Sequence, residues 1–202
     1  MPDVADIAGS GGKHMTPVAR RAIDNCAVCL YFDADAAAAV RLAWKRIAEA
    51  GISDEMPEAG WRPHVTLSGC RDLRLEEYLP VLREFAAQTK PQDISFTSVG
   101  YFGGGNRQTV FLAPTVTRGL LDLHERHHGL VAPFCSAVSP YYTPDGWTPH
   151  CTLALNLPTE RLAQAVTLTD DFGLPIMGRL MAVGVVRVAR PQVEELSLLA
   201  LD

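Results

Sequence analysis

The sequence predicts an α+β fold with two pseudo-symmetric, βαβ-like lobes, whose antiparallel sheets face a central cleft and whose helices lie outside. Strand-like and helix-like segments follow one another in a similar order in the two halves of the 202-residue chain, a pattern typical of domains that layer helices on sheets. The heptapeptide WRPHVTL at 61–67 also returns as WTPHCTL at 147–153, with five of seven positions identical. Because the copies lie 86 positions apart, they indicate one duplicated element rather than a short-period repeat array.

The first half of the chain alternates strands with helices. CAVCLYFD is apolar and rich in β-forming residues, and the alanine-rich segment after it has Asp33 or Asp35 as a cap and Gly51 as its end. Apolar residues at helical spacing mark a second helix, and GGGNR is typical of a hairpin turn. The predicted strands are 26–33, 62–68, 94–102 and 109–113, and the predicted helices are 34–50 and 75–88.

The second half repeats this order after a loop rich in proline and tyrosine. A helix at 117–128 is predicted to stop at Gly129, because glycine favours the end of a helix. The second copy of the repeated element forms a strand at 148–155, and a short helix is expected at 159–167. Two closing strands are predicted at 180–189 and 194–201.

Length and composition favour one domain, which we place at 25–202, after a flexible N-terminal tail at 1–24 that is native or partly a cloning remnant. No apolar run approaches the roughly 18 residues of a membrane span. The N-terminus lacks the apolar core of a secretory signal. We therefore expect a cytoplasmic protein with no membrane contact.

The cysteines predict reduced thiols rather than disulfides or a metal site. Their number, five, is odd, and their spacing does not match a zinc ribbon. Cys26 and Cys29 form a CxxC, but residues i and i+3 of a strand face opposite sides, so the two thiols cannot bind one metal ion. Cys151 is expected to point into the core.

Each copy of the repeated element carries a histidine and a threonine two residues apart. In a strand, residues i and i+2 point to the same face, so His64 projects with Thr66 and His150 with Thr152. The proline before each histidine cannot donate to a sheet ladder, which fits the first residue of a strand at the rim of a cleft. Two imidazoles and two hydroxyls offer paired acid and base groups with hydrogen-bond donors beside them. This pattern indicates an enzyme.

The two motifs, PHVTL and PHCTL, resemble the tandem HxT signature of the two-histidine (2H) phosphoesterase superfamily, which includes the bacterial RNA 2′-5′ ligase/cyclic phosphodiesterase proteins. The resemblance covers about residues 25–201. It implies a metal-independent phosphodiesterase, without a cofactor, that acts on a 2′,3′-cyclic phosphate or a 2′-5′-linked nucleotide or RNA end. It also implies that His64 is the acid, that His150 is the base, and that Thr66 and Thr152 donate hydrogen bonds to phosphate.

The substrate is expected to be small or short, because a net charge of −5 does not favour binding along a long nucleic acid backbone. Aromatic side chains could stack on a base at the cleft mouth. Many relatives have an arginine soon after the second HxT motif, where this chain has Ala154, Leu155 and Asn156, and another arginine could replace it. The candidate substrate-binding residues are Phe102, Tyr141, Tyr142 and Trp147, with Arg71 and Arg107 as candidate phosphate ligands.

Two other functions remain open at this stage. A non-catalytic module that binds a nucleotide or RNA end would use the same cleft. His124-Glu-Arg-His-His128 formally matches the HExxH pattern of zinc proteases and lies on a predicted helix. The extended form of that pattern fails, since Val131 and Phe134 stand where glycine and histidine are required. No protein partner is predicted.

Overall fold

The computed structural model describes residues 23–103, 105–189 and 191–202 of the chain. The predicted tail at 1–24 lies outside the described residues except for its last two positions. The eight strands are β1 (Cys26–Phe32), β2 (His64–Arg71), β3 (Gln92–Phe102), β4 (Arg107–Pro114), β5 (Ala137–Val138), β6 (Cys151–Pro158), β7 (Ile176–Ala189) and β8 (Gln192–Ala200).

Five α-helices connect these strands, and short 3₁₀ turns extend several of them. The α-helices are α1 (Ala34–Glu49), α2 (Glu55–Glu58), α3 (Leu75–Ala87), α4 (Arg118–Val131) and α5 (Leu162–Leu168). Asp33 caps α1 as predicted, since its carboxylate accepts from the Ala36 N–H at 2.9 Å. The short α2 and β5 were not predicted, because they bury few side chains and therefore leave little periodic signal in the sequence.

The end of α4 differs from the prediction. Gly129 does not stop the helix, which continues to Val131. The apolar face of α4 runs on to Val131, which is fully buried in the core. This burial outweighs the low helix propensity of one glycine. The helix then gives way to a 3₁₀ turn that contains Pro133.

The strands pair as one antiparallel network, in the order β5-β2-β1-β7-β3-β4-β6, with β8 on β7. The long β7 joins the two lobes, because its first residues pair with β3 and the rest with β1 and β8. The two strands that carry the HxT motifs, β2 and β6, therefore belong to opposite ends of the same network. This architecture confirms the predicted antiparallel α+β fold.

The main hydrophobic core lies between one face of the sheet and the helices. It is formed by alternate strand residues such as Val28, Leu30 and Val65, packed against Val40 and Leu82 of the helices. Cys26 belongs to this core, whereas Cys29 belongs to a smaller cluster with Ala27, Tyr31 and Val186 on the other face. The two thiols of the CxxC thus face opposite sides of β1. Cys151 is buried in the main core, as expected.

Both HxT strands carry a β-bulge at the leucine that follows the threonine. Cys29 pairs with Thr66 but the next pair is Val28 with Ser68, so Leu67 has no partner. In the second half, Phe111 pairs with Thr152 and Val110 with Ala154, which leaves Leu153 out of register. A bulge places two consecutive residues on one face and re-aims the side chains beyond it.

Each bulge is held by an indole that comes from elsewhere in the chain. The Nε1–H of Trp147 donates to the Thr66 carbonyl at 2.9 Å. The Nε1–H of Trp44 donates to the Thr152 carbonyl, also at 2.9 Å. A buried carbonyl without a partner is costly, so the two indoles stabilise the bulges that shape the HxT strands.

We expect the W44F and W147F variants to be less stable by about 1–3 kcal/mol each, because each leaves a carbonyl at a bulge without a donor and removes part of a buried ring. Urea unfolding followed by circular dichroism measures the change. Exposed Tyr101 is a matched control, since Y101F also removes one polar atom from an aromatic side chain and should stay within roughly 0.5 kcal/mol of the wild type. Wild-type stability in both tryptophan variants would show that other donors serve these carbonyls.

Candidate active site

The two HxT strands meet at a cleft of about 1190 Å³ that lies on the sheet face away from the main core. His64, Thr66, His150 and Thr152 all line it. The two strands, β2 and β6, are also in contact with each other. The four residues of the duplicated motif therefore share one cavity.

Both imidazoles are oriented by the same local hydrogen bond. Nδ1 of His64 lies 2.7 Å from the Arg62 carbonyl, and Nδ1 of His150 lies 2.7 Å from the Thr148 carbonyl. A carbonyl can only accept, so Nδ1 carries the proton in each ring and Nε2 is left with a lone pair. The proline between the two partners has no N–H, and β2 and β6 begin only after it. Each Nε2 is thus free to take or give a proton.

Burial favours the neutral form of both imidazoles. The His64 side chain is 7% exposed. Its pKa is lowered to about 4, by burial first and by His150 second, against the opposing effect of the Arg62 carbonyl. Burial also lowers the pKa of His150, and the Thr148 carbonyl opposes that shift. Both rings are therefore bases at neutral pH until an anion enters.

Aromatic rings pack against each imidazole. Trp61 stacks on His64, with ring centroids 4.7 Å apart. Phe102 meets His150 edge-on at 4.9 Å, and Phe111 lies 5.2 Å from the same ring. Trp61 and Phe111 were not among the candidate site residues. The repeated tryptophan was a signal for Trp61, whereas Phe111 required knowledge of its pairing with Thr152.

The bulges decide which later residues reach the cleft. In a regular strand Arg71 would face away from Thr66, because the two are an odd number of positions apart. The bulge at Leu67 sends Leu67 and Ser68 inward together, so that Gly69 and Arg71 line the cleft. Arg71 therefore lies where a phosphate ligand could be held. Three other candidates, Phe102, Tyr141 and Tyr142, also line the cleft.

Arg107 and Trp147 are the two candidate binding residues that are absent from the described lining of the cleft. Arg107 instead donates to the Asn156 carbonyl at 2.8 Å, and the Asn156 side chain binds Glu55 at 2.8 Å. Trp147 is buried, bonded to the Thr66 carbonyl and stacked on His124 at 3.9 Å. Each of these side chains thus donates to a backbone carbonyl of an HxT strand.

The HExxH segment also lies behind the first HxT strand. His124 is buried, and its Nε2 lies 3.1 Å from the Leu67 carbonyl. His127 is fully buried between the Tyr78 hydroxyl, at 2.7 Å, and the Ser68 hydroxyl, at 3.3 Å. Among the described residues, no group of three or more His, Cys, Asp or Glu side chains is arranged to hold a metal ion. His124 and His127 of this helix therefore hydrogen-bond to backbone and side-chain atoms of β2.

A family model described as the 2′-5′ RNA ligase superfamily matches residues 34–192. The chain belongs to the 2′-5′ RNA ligase superfamily. This match spans both HxT strands and confirms the resemblance inferred from the motifs. No curated protein sequence matches the chain.

Solved structures with similar folds come from bacteria and yeast. TT0787 of Thermus thermophilus aligns with a TM-score of 0.57 and 20% identity over 88% of this chain and 97% of that one. LigT of E. coli in complex with 3′-AMP gives 0.55 and 15% over 88% and 98%. Usb1 of Kluyveromyces marxianus gives 0.53 and 11% over 89% and 98%. At these identities the likeness is one of fold.

No helix within the described part of this superfamily member combines the length and apolar character needed to cross a membrane. The described cysteines are all free thiols.

The buried histidine of α4 makes stability depend on pH. Burial lowers the pKa of native His127 to about 3, whereas an unfolded histidine titrates near 6.5. Between these values the unfolded chain binds a proton that the native protein does not, so stability falls as the pH drops below about 6.5. We expect H127F to reduce the slope of unfolding free energy against pH by roughly 1.4 kcal/mol per pH unit between pH 5 and 6. Equal slopes in urea titrations of both proteins would contradict this.

Proposed function

We propose that this protein is a phosphodiesterase that opens a 2′,3′-cyclic phosphate or cleaves a 2′-5′ linkage at a nucleotide or RNA end, with His64 and His150 as the acid and base. The observation that carries the proposal is the convergence of both imidazoles on one cleft, each with Nδ1 bonded to a carbonyl. Two free Nε2 atoms are what such a reaction needs, because one bond to phosphorus forms while another breaks.

The chemistry divides between the two halves of the cleft. His150 takes a proton from water, the water oxygen attacks phosphorus, and His64 gives its proton to the departing ribose oxygen. Thr66 and Thr152 donate hydrogen bonds to the other phosphate oxygens, where negative charge develops. Because the imidazoles and hydroxyls fill every role, the reaction requires no metal ion.

The charge of the bound phosphate favours the protonated imidazole that the acid role requires. Burial holds the pKa of His64 at about 4 in the empty cleft. A bound phosphodiester carries a negative charge, which favours the protonated ring. Because its surroundings lower its pKa, the protonated ring gives up its proton readily, which makes it an effective acid towards an alkoxide leaving group. Substrate binding therefore favours protonation of the imidazole that acts as the acid.

The lining of the cleft favours a substrate with one phosphodiester charge. Arg71 is the one arginine among its described residues, and no lysine, aspartate or glutamate joins it. A terminal polyphosphate would need more cationic partners than this. The volume of about 1190 Å³ exceeds the roughly 300–1,000 Å³ of common ligand pockets, which leaves room for nucleotides on both sides of the phosphate.

Nucleotide binding is in keeping with similar folds. E. coli LigT was crystallised with 3′-AMP, with NADP+ and with ATP. In this chain, exposed Tyr141 and Phe102 stand at the cleft and offer ring faces for a base. Free thiols fit a reducing compartment, and we place the protein in the cytoplasm.

We expect H64A and H150A each to lower kcat/KM by about 10²–10⁴-fold while circular dichroism and the urea midpoint show a folded protein. The assay is hydrolysis of a panel of 2′,3′-cyclic and 2′-5′-linked nucleotides with the products identified by mass. Activity should persist in EDTA. H128A is the matched control, because His128 lies on α4 away from the cleft lining.

Ordinary turnover by H64A or H150A would refute the proposal. Loss of this hydrolysis in H128A and in EDTA would contradict the metal-independent mechanism. Tight binding of the whole panel without turnover by the wild type would favour a binding module.

We expect the kcat/KM profile against pH to be bell-shaped with its optimum on the acid side of 6.5. This profile reports the free enzyme, in which burial lowers the pKa of both histidines. One ring must be protonated and the other neutral, so kcat/KM falls as pH rises above the lowered pKa values. The optimum of kcat should lie at higher pH, because bound phosphate raises the pKa values of the histidines. A kcat/KM that rises steadily from pH 6 to 9 would contradict this.

A further inference from the structure

The glycine before each tryptophan of the repeated element has a different backbone conformation in the two halves. Gly60 has a φ of 79°, in the left-handed region that favours glycine. Gly146 lies outside that region, and a Cβ there would be 2.5 Å from the Pro140 carbonyl oxygen. The same Gly-Trp pair therefore directs the chain differently in each half, and the two indoles lie in different places.

Trp61 lies at the cleft, whereas Trp147 is buried in the main core. The Trp61 N–H donates to the Met56 carbonyl at 3.2 Å, which fixes its backbone to α2. Its indole packs against the small hydrophobic cluster that includes Tyr31, and it lines the cleft. Trp147 stacks on His124 instead. The first tryptophan of the repeat is thus the one that reaches a histidine of an HxT motif.

The indole of Trp61 presents its face to the ring of His64. The two ring centroids are 4.7 Å apart, and the ring planes differ by 22°. A cation over the face of an aromatic ring, within about 6 Å of its centre, is attracted by the negative charge of the π system, and tryptophan gives the strongest attraction. This stack therefore favours the imidazolium form of His64, whereas burial favours its neutral form.

His150 has different aromatic neighbours. Phe102 meets its ring at 83° and Phe111 meets it at 56°, so neither lies parallel to the imidazole. Phenylalanine also attracts a cation less strongly than tryptophan. The hydrogen bond at Nδ1 is 2.7 Å in both motifs and does not distinguish the two histidines. The aromatic contacts do distinguish them.

The other groups around His64 do not depend on Trp61 for their charge. The Arg62 guanidinium lies 4.9 Å from the centre of the Tyr31 ring and 2.8 Å from the Glu195 carboxylate. Burial raises the pKa of Tyr31, so its phenol is neutral. A charge on His150 opposes a second charge on His64. The titratable or charged groups of the surrounding elements are Cys29 and Tyr31 of β1, Arg62 before β2, Arg71 of β2, His150 of β6 and Glu195 of β8.

We propose that Trp61 is a positioning residue whose ring face stabilises the imidazolium of His64, and that it thereby selects His64 rather than His150 as the acid. This inference rests on the proposed function of the cleft. The acid must be charged before it gives its proton to the departing oxygen, and the base must be neutral before it takes one from water. A contact that favours charge on one ring therefore assigns the two roles.

An NMR titration of the free protein measures the pKa of His64 in the wild type, W61F and W61L, with circular dichroism to show that each is folded. We expect this pKa to fall by about 0.5–1 pH unit in W61L and by less in W61F, because leucine has no ring face and phenylalanine has a weaker one. If Trp61 served only to bury His64, its removal would let water reach the ring and the pKa would rise. The two explanations predict opposite signs.

Fluorination tests the ring face without changing its size. 5-Fluorotryptophan keeps the indole N–H and weakens the negative charge of the ring face, so its incorporation should lower the pKa of His64 slightly. The matched control is fluorinated W61F, which retains Trp44 and Trp147 and should show no such fall. Y101L removes an exposed ring outside the described cleft lining, and it should leave the pKa of His64 unchanged.

Hydrolysis of a nucleoside 2′,3′-cyclic phosphate gives a second readout. The alkaline limb of the kcat profile should move to lower pH in W61L, and kcat at pH 7 should fall by about 3–10-fold with little change in KM. A lowered pKa of His64 with an unmoved alkaline limb would overturn the assignment of His64 as the acid.

An unchanged or raised pKa of His64 in W61L would overturn the role of Trp61. So would a fluorinated wild type in which His64 titrates as in the unlabelled protein. If the wild type hydrolyses no cyclic phosphate, the proposed function fails, and the titrations of the free protein still decide whether Trp61 stabilises the imidazolium.

Discussion

The hydrogen bond from an indole N–H to the carbonyl of each HxT threonine is the interaction on which the rest of the site depends. Trp147 serves Thr66 and Trp44 serves Thr152, both at 2.9 Å. The bulge beside each threonine takes the next leucine out of register, and a buried carbonyl at such a place needs a donor. With that donor supplied, the strand turns two successive side chains into the core and re-aims the following ones at the cleft. Arg71 reaches the cleft for this reason.

In both strands, two opposing effects act on the pKa of the histidine. Burial favours the neutral ring, while the carbonyl at Nδ1 favours the charged one. Burial outweighs the carbonyl, so both imidazoles are neutral and each Nε2 has a free lone pair. A bound phosphate anion would shift the protonation equilibrium towards one charged and one neutral ring. In the function that we propose for this member of the 2′-5′ RNA ligase superfamily, the substrate itself charges the acid. Local geometry, repeated twice, produces a pair that differs in burial and in its aromatic neighbours.

Much of this was accessible from the sequence because the motif is duplicated. An apolar, β-rich run predicted β1, the duplicated motif predicted the HxT strands, and the i, i+2 rule brought His64 together with Thr66. The features that depend on long-range strand pairing could not be predicted from the sequence. The bulges and the pairing of Phe111 with Thr152 follow from strand register, which local periodicity does not encode. Trp147 illustrates the difference: its repetition marks it as important, yet the structure buries it behind β2 rather than at the cleft.

The most direct test of the central claim is an NMR titration of the histidine side chains with inorganic phosphate at constant pH. If both imidazoles face one phosphorus, the Nε2 signals of His64 and His150 should move together with a single dissociation constant, and the pKa of at least one should rise on saturation. Resonances of the α4 histidines should stay in place. A response from one HxT histidine alone, or from neither, would contradict a shared site.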